Sequence, residues 1–241
     1  MPQQQKGFFP YLIVVFLNAF VDLGHKIVIQ NTIFKHFDGQ AQVILTAVIN
    51  GLILLPFILL FSPAGFLSDR FAKERIIRYS ALFGIAATLA ITFSYYQGWF
   101  WAAFALTLAL AVQSAIYSPA KYGYIKELVG GENLASANGA VQAVTIAGIL
   151  LGTFVFSLLF EGLLPDTGLR DTGTSIRHIA PIGWVLVGLA AMEWGATALL
   201  PAKRAGSDAT RFELRPYLRL QYLKRNLTLL GENTTIWLSI I

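Results

Sequence analysis

Long apolar stretches alternate with short charged segments along nearly the whole chain. Six of them are long enough to cross a bilayer, whose hydrocarbon core takes about 20 apolar residues in a helix. They cover residues 8–34, 43–61, 76–96, 99–117, 134–164 and 179–200, and a seventh begins near residue 235. The pattern predicts an all-α membrane protein with a six-helix bundle at 1–200, a basic cytoplasmic linker at 201–233 and the start of a seventh helix at 234–241.

Composition and charge agree with membrane topology. Hydrophobic residues make up 56% of the 241 residues and charged residues 13%, whereas a soluble domain carries about 25% charged residues. Fourteen of the 18 Lys and Arg residues fall in segments on the same side as the N-terminus, and three fall on the other side. Because cytoplasmic loops are enriched in Lys and Arg, we expect the N-terminus inside. The net charge of +5 therefore reflects topology and not a nucleic-acid partner.

Few residues carry redox, metal or hydrolytic chemistry. The sequence has no cysteine, which excludes disulfides and thiolate metal sites. The three histidines, His25, His36 and His178, lie on different segments without metal-ligand spacing. We expect no metal, no cofactor and no catalytic site.

The first span carries a polar stripe at intervals of four residues, formed by Asn18, Asp22, Lys26 and Gln30. A charge at the centre of a membrane helix costs about 2.5–3.5 kcal/mol. The stripe must therefore face the bundle interior or a water-filled path, and Asp22 and Lys26 can pair. We interpret it as a site for a substrate head group or an ion. The alternative is an ion pair that only ties helices together. His25 either joins this site or packs.

Milder polar groups occur in the later spans. Pro119 is expected to end or kink the fourth helix, which leaves Lys121 at the cytoplasmic rim. There Lys121 extends its ammonium group to the interface, or it contacts a lipid phosphate or closes a gate. Glu193 in the sixth span is either a second buried charge or an interfacial residue near the cytoplasmic end of that span. Asn138 and Gln142 share a helix face and either bridge helices or contact substrate.

Small residues in the fifth span predict a helix-packing seam, because they let helix backbones approach closely. They are Ala135, Gly139, Ala143, Ala147, Gly148 and Gly152.

The charged segment at residues 65–75, GFLSDRFAKER, predicts a short cytoplasmic loop between the second and third spans. Its pattern Gly-x-x-x-Asp-Arg resembles the loop signature of the major facilitator superfamily. Three further segments, SPAKYG at 118–123, ANG at 137–139 and TIAGILLG at 145–152, resemble the bacterial lysophospholipid transporter branch of that superfamily. The first span's FLNAFVD at 16–22 is similar too, although Leu23 stands where the branch usually has Asn.

The resemblance implies a fold and a set of site residues. It implies the N-terminal six-helix half of a major facilitator fold, built from two inverted three-helix repeats whose helices one and four line the path. Combined with the polar positions above, it places substrate binding at Asn18, Asp22, Lys26, Lys121, Asn138 and Gln142. It places gating at Gly65, Asp69, Arg70, Arg75 and Pro119.

The resemblance also implies a function. We expect a transporter of the bacterial inner membrane that moves lysophospholipids by alternating access and feeds their re-acylation. Its partners would be the lysophospholipid, membrane lipid, the second half of the same carrier and an acyltransferase, separate or fused. Three alternatives stay open: a carrier of a drug or another small solute, the membrane module of a fused acyltransferase, and a scaffold.

Overall fold

The computed structural model describes residues 7–164 and 171–202, together with Thr228. Within these ranges the chain forms eight α-helices and no strand, which confirms the predicted all-α class. The helices are α1 Phe8–His36, α2 Gly39–Leu59, α3 Phe61–Arg70, α4 Lys73–Gln97, α5 Phe100–Val129, α6 Leu134–Leu163, α7 Thr172–His178 and α8 Pro181–Thr197. Nearly all of the predicted linker and the whole of the predicted seventh span lie outside the described residues.

Five helices are long and apolar enough to cross a membrane: α1, α2, α4, α5 and α6. The pair α7 and α8, bent by 56° at a short break, passes the same test together. If that pair counts as one span, the described residues contain the six predicted spans. The chain is thus a multi-pass membrane protein.

Two predicted helix ends are wrong, and the alternative of a kink at Pro119 stays a prediction. The segment at 65–75 is mostly helical, because α3 continues to Arg70 and only Phe71 and Ala72 separate it from α4. Helix α5 likewise runs through Pro119 to Val129, so the fourth span does not end at the proline. Hydropathy marks where the membrane ends, and a helix can continue beyond that point into polar surroundings. Proline is tolerated in spanning helices because neighbours satisfy the backbone group that it leaves without a partner.

Helix α1 packs closely against α6 through two glycines. A Cβ atom at Gly148 would lie 2.9 Å from the carbonyl oxygen of Phe16, and one at Gly152 would lie 3.0 Å from that of Phe20. Any side chain larger than hydrogen would therefore push the helices apart. This part of the predicted seam is confirmed. Ala135, Gly139 and Ala143, in its earlier part, are exposed among the described residues, so helix packing at these positions stays a prediction.

The helices differ strongly in how much of their surface the bundle covers. In the most apolar 18-residue window of α1 and of α5, 56% of residues are buried, against 11% for α2 and 22% for α6. Helices α1 and α5 therefore form the interior, while α2 and α6 flank it with apolar side chains left uncovered by the described residues.

Candidate functional site

A cavity of about 290 Å³ lies between α1, α2, α5 and α6, and we call it the central cavity. Four of the six predicted substrate-binding residues border it: Asn18, Asp22 and Lys26 from α1, and Lys121 from α5. Its other walls are largely apolar, with Ile53 and Phe57 from α2 and Ile149 from α6 among them. The structure thus brings the polar stripe and the distant lysine together, and their role as substrate ligands stays a prediction.

Asp22 is held by a neighbouring helix and not by Lys26. Its Oδ2 accepts a hydrogen bond from the hydroxyl of Ser114 on α5. The predicted pair of Asp22 and Lys26 is wrong: among the described residues the ion pairs within 4.0 Å are Lys35–Glu161 and Lys73–Glu127. Helical spacing places Asp22 and Lys26 on one face, but a donor from the facing helix lies closer to the carboxylate.

Lys121 is buried, which contradicts its predicted place at the rim. Its side chain is 8% exposed, and its Nζ donates to Thr145 Oγ1 on α6 at 3.1 Å. The Nζ also lies 5.1 Å from the ring centre of Tyr122. Its backbone carbonyl accepts from the hydroxyl of Tyr11 on α1 at 2.7 Å. Lys121 is therefore fixed among three helices, within electrostatic reach of Asp22.

His25 packs in the core and does not border the central cavity. Its Nε2 lies 3.1 Å from the carbonyl oxygen of Ala103 and 3.2 Å from Thr107 Oγ1. Since a carbonyl only accepts, Nε2 carries the proton, and Nδ1 accepts from the hydroxyl of Tyr95 at 2.8 Å. Both ring nitrogens thus have partners, and the side chain ties α1 to α4 and α5.

Glu193 is 2% exposed, so it is a buried charge and the interfacial alternative is wrong. Its neighbours include Asn18 and Asp22 on α1 and Tyr117 on α5. Its Oε1 has no hydrogen-bond partner among the described residues. This buried glutamate is thus a second acidic residue beside Asn18 and Asp22 of the polar stripe.

Asn138 and Gln142 lie apart from the cavity lining. Asn138 is half-buried on α6, and Gln142 is exposed, with its Nε2 donating to the hydroxyl of Tyr122 at 3.3 Å. Tyr122 borders the cavity, so Gln142 is one contact away from it. Substrate contact by these two residues stays a prediction.

The predicted gating residues lie on α3, α4 and α5. Gly65, Asp69 and Arg70 belong to α3, Arg75 to the first turn of α4, and Pro119 to the middle of α5. The guanidinium of Arg70 lies 5.9 Å and 5.7 Å from the ring centres of Phe66 and Phe71.

The ion pair at this end of the bundle does not involve the predicted gating residues. Lys73 Nζ and Glu127 Oε1 are 2.6 Å apart, which connects the start of α4 to the end of α5. The gating roles themselves stay predictions.

Sequence reasoning missed six polar residues of the cavity lining: Thr107, Ser114, Tyr117, Ser118, Tyr122 and Thr145. Ser114 could have been found, because Ser114, Ser118 and Lys121 follow the i, i+4, i+7 spacing of one helix face. Thr145 could not, since nothing in its own helix indicates that it faces Lys121. No group of three His, Cys, Asp or Glu residues in the described part of the chain is placed to hold a metal ion.

The chain is similar to several curated bacterial proteins. It is 33% identical over 161 residues to the lysophospholipid transporter LplT of Photorhabdus laumondii, which covers 66% of this chain and 38% of that protein. It is 36% identical over 110 residues to the protein of the same name from Serratia proteamaculans, covering 46% and 25%. With that of Escherichia coli strain SE11 it shares 35% over 163 residues, covering 65% and 37%.

These matches are partial on both sides. No family model matches the chain. The aligned region spans only 25% to 38% of the length of these three relatives. Over about half to two thirds of its own length, the chain is therefore homologous to bacterial proteins named lysophospholipid transporter, within a multi-pass membrane fold.

Proposed function

We propose that this chain forms the first half of a carrier that moves lysophospholipids across the bacterial inner membrane by alternating access. The observation that carries the proposal is the meeting of Asp22 and Lys121, of opposite charge and from different helices, in one cavity that has both polar and apolar walls. A zwitterionic head group matches this arrangement, with its phosphate toward Lys121 and its amine toward Asp22. The apolar walls suit an acyl chain. The name of the relatives supports the same substrate class.

Both charges remain able to bind a ligand. Each has a neutral hydroxyl as its hydrogen-bond partner, Ser114 for Asp22 and Thr145 for Lys121. A phosphate or an amine forms stronger, charge-assisted hydrogen bonds than a hydroxyl does. A head group can therefore displace or join these hydroxyls at little cost.

The size and surroundings of the central cavity favour a second half. Its volume of about 290 Å³ lies at the lower limit for small-molecule sites, which range from about 300 to 1,000 Å³, and a lysophospholipid is a large ligand. The flanking helices α2 and α6 are mostly uncovered. A second bundle packed on these helices would enlarge the cavity and complete its walls, as in two-half carriers.

The end of the bundle predicted to be cytoplasmic is proposed as one gate. Asp69, Arg70 and Arg75 would pair across the two halves when this side closes. The Lys73–Glu127 pair holds α4 and α5 together within this half. Re-acylation of the delivered lysophospholipid by an acyltransferase, separate or fused, would follow transport.

The test uses the full-length protein in proteoliposomes and follows the inward movement of labelled lysophosphatidylethanolamine. We expect Asp22→Asn to lower the initial rate at least tenfold, because Asn keeps the size of the side chain and loses its charge. Lys121→Gln should lower the rate for lysophosphatidylethanolamine and for lysophosphatidylglycerol alike. Asp22→Asn should affect the second lipid less, because that head group has no amine.

Two exposed residues provide matched controls: Asp38→Asn and Lys126→Gln remove the same charges away from the cavity. Both should transport at the wild-type rate. If the wild type inserts normally but moves no lysophospholipid, the substrate assignment is wrong. If Asp22→Asn and Asp38→Asn behave alike, the central cavity is not the head-group site.

A further inference from the structure

Glu193 on α8 lies behind the central cavity, buried where α8 packs against α1 and α4. The ion pairs of the described residues do not include it, and Arg78 of α4, which reaches α8 one turn later, donates to the carbonyl oxygen of Thr197. Its Oε1 has no hydrogen-bond partner in the described part of the chain. A buried acid that serves only to hold helices together is expected to have a cation or a full set of donors. Glu193 has neither, which points to a role toward its polar neighbours.

The neighbour that Glu193 engages is Asn18 of the polar stripe. The Asn18 side chain on α1 is hydrogen-bonded to the Glu193 carboxyl group, and Asn18 also borders the central cavity. Because a carboxylate oxygen accepts hydrogen bonds, the amide donates this bond through its Nδ2. The amide oxygen lies on the other branch of the same planar group, so it is turned away from Glu193 and toward the cavity.

Without an acceptor on α8, the Asn18 amide would have another place to donate. Asn18 and Asp22 are one helical turn apart on the same face of α1, and both border the cavity. A free Asn18 amide would be able to rotate and donate to the Asp22 carboxylate, which is the group proposed to bind the amine of the substrate. Glu193 prevents this, because it takes the Nδ2 donor. The Asp22 carboxylate and the Asn18 oxygen thus remain two neighbouring acceptors.

Two acceptors on neighbouring turns suit an ammonium group. A primary ammonium has three N–H donors and no acceptor, so the carboxylate and the amide oxygen can each take one of them. A glycerol head group offers hydroxyls to the same acceptors, but it carries no positive charge, and hydrogen bonds from a charged donor are the stronger ones. The pair of acceptors therefore favours a head group with a primary amine.

We propose that Glu193 is a positioning residue that makes the central cavity selective for amine-bearing head groups, because it holds the Asn18 amide with its oxygen toward the substrate. Glu193 itself does not touch the substrate. Asp22 supplies the charge that attracts the amine, and Asn18 supplies the second acceptor, whose direction Glu193 fixes. The inference rests on the proposed transport of lysophospholipids and adds to it the residue that sets the head-group preference.

The experiment uses the full-length protein in proteoliposomes and measures initial rates over a range of lysophosphatidylethanolamine and lysophosphatidylglycerol concentrations. Glu193→Met keeps the length of the side chain and removes its acceptor. We expect the KM for lysophosphatidylethanolamine to rise about tenfold, the effect of one hydrogen bond to a charged group, with kcat unchanged. The KM for lysophosphatidylglycerol should stay near the wild-type value. Glu132→Met makes the same change at an exposed position outside the cavity, and it should match the wild type for both lipids.

Two further variants separate positioning from packing. Asn18→Asp replaces the amide by a group in which both oxygens accept, so its orientation no longer matters. Added to Glu193→Met, it should return the KM for lysophosphatidylethanolamine to near the wild-type value, a rescue that a merely structural role of Glu193 would not give. Glu193→Gln should raise this KM in the same direction but less, because its amide still accepts in one of its two orientations. It keeps the test decisive if Glu193→Met fails to fold.

Three results would overturn the inference. If the wild type moves both lipids and the Glu193 variants change their transport equally or not at all, Glu193 is only a structural residue, and the transport proposal stands. A lower KM for lysophosphatidylethanolamine in these variants would mean that Glu193 donates to the Asn18 oxygen and withholds it from the substrate. If the wild type inserts normally and moves neither lipid, the transport proposal itself fails, and this inference fails with it.

Discussion

Asp22 and His25 lie three residues apart on the same membrane helix, yet their side chains have different surroundings and hydrogen-bond partners. Both ring nitrogens of His25 have partners on α4 and α5, and the side chain is fully buried. Among the described residues, Asp22 has one side-chain hydrogen-bond partner, Ser114, and it borders the central cavity. The difference teaches that a polar residue inside a membrane becomes available to a ligand when the fold leaves its hydrogen bonding incomplete. Polarity alone does not distinguish the two roles.

The largest effect should come from His25→Ala. The change leaves the Tyr95 hydroxyl and the Ala103 carbonyl without their partner and creates a cavity where α1, α4 and α5 meet. We expect a loss of about 2–4 kcal/mol in the free energy of unfolding, measured by denaturant titration in detergent. Asp22→Asn is the control and should unfold like the wild type. If both variants lost the same free energy of unfolding, His25 and Asp22 would not differ in their contribution to stability.

A smaller effect is expected for Tyr95→Phe, which removes only the hydroxyl that His25 Nδ1 accepts from. The Nε2 bond to Ala103 remains, so the loss should be about 1 kcal/mol. The same titration measures it. If Tyr95→Phe lowers the free energy of unfolding as much as His25→Ala does, the imidazole stabilises the fold mainly through its bond to the Tyr95 hydroxyl. In the double variant the two losses should not add, because both remove the same interaction.

The smallest effect on folding should come from Ser114→Ala, which removes the hydrogen bond to Asp22. The carboxylate faces the cavity and can be solvated there, so we expect less than about 0.5 kcal/mol of lost stability. Transport of lysophosphatidylethanolamine should fall roughly threefold, since Asp22 loses its orientation. Ser136→Ala removes the same hydroxyl at an exposed position of α6 outside the cavity and provides the control in the transport assay. A large loss of stability in Ser114→Ala would mean that Asp22 is a structural residue like His25.

The sequence predicted most of the fold and part of the site. Hydropathy located the spans, because an apolar run of about 20 residues is typical of a membrane-spanning helix. The four-residue spacing placed Asn18, Asp22 and Lys26 on one face, and that face does border a cavity. It could not reveal that Ser114 would replace Lys26 as the partner of Asp22, because this depends on how α5 faces α1.

Burial of charge was equally hard to predict. Lys121 and Glu193 each lie near a polar segment, so interfacial positions were the simpler interpretation. Both are buried because α5 continues as a helix beyond Pro119 and because α8 packs on α1 and α4. Those are consequences of tertiary packing, which a single sequence does not display.

The break between α7 and α8 has a consequence for the bilayer itself. Helix α8 has 17 residues and is therefore about 25 Å long, shorter than the roughly 30 Å of the hydrocarbon core. A helix that is too short is accommodated by thinning of the nearby lipid. The 56° bend turns α7 away from the axis of α8, so α7 adds less than its own length to the span. We therefore expect a local dimple in the leaflet beside α8, where a lipid would cross a shorter distance than elsewhere.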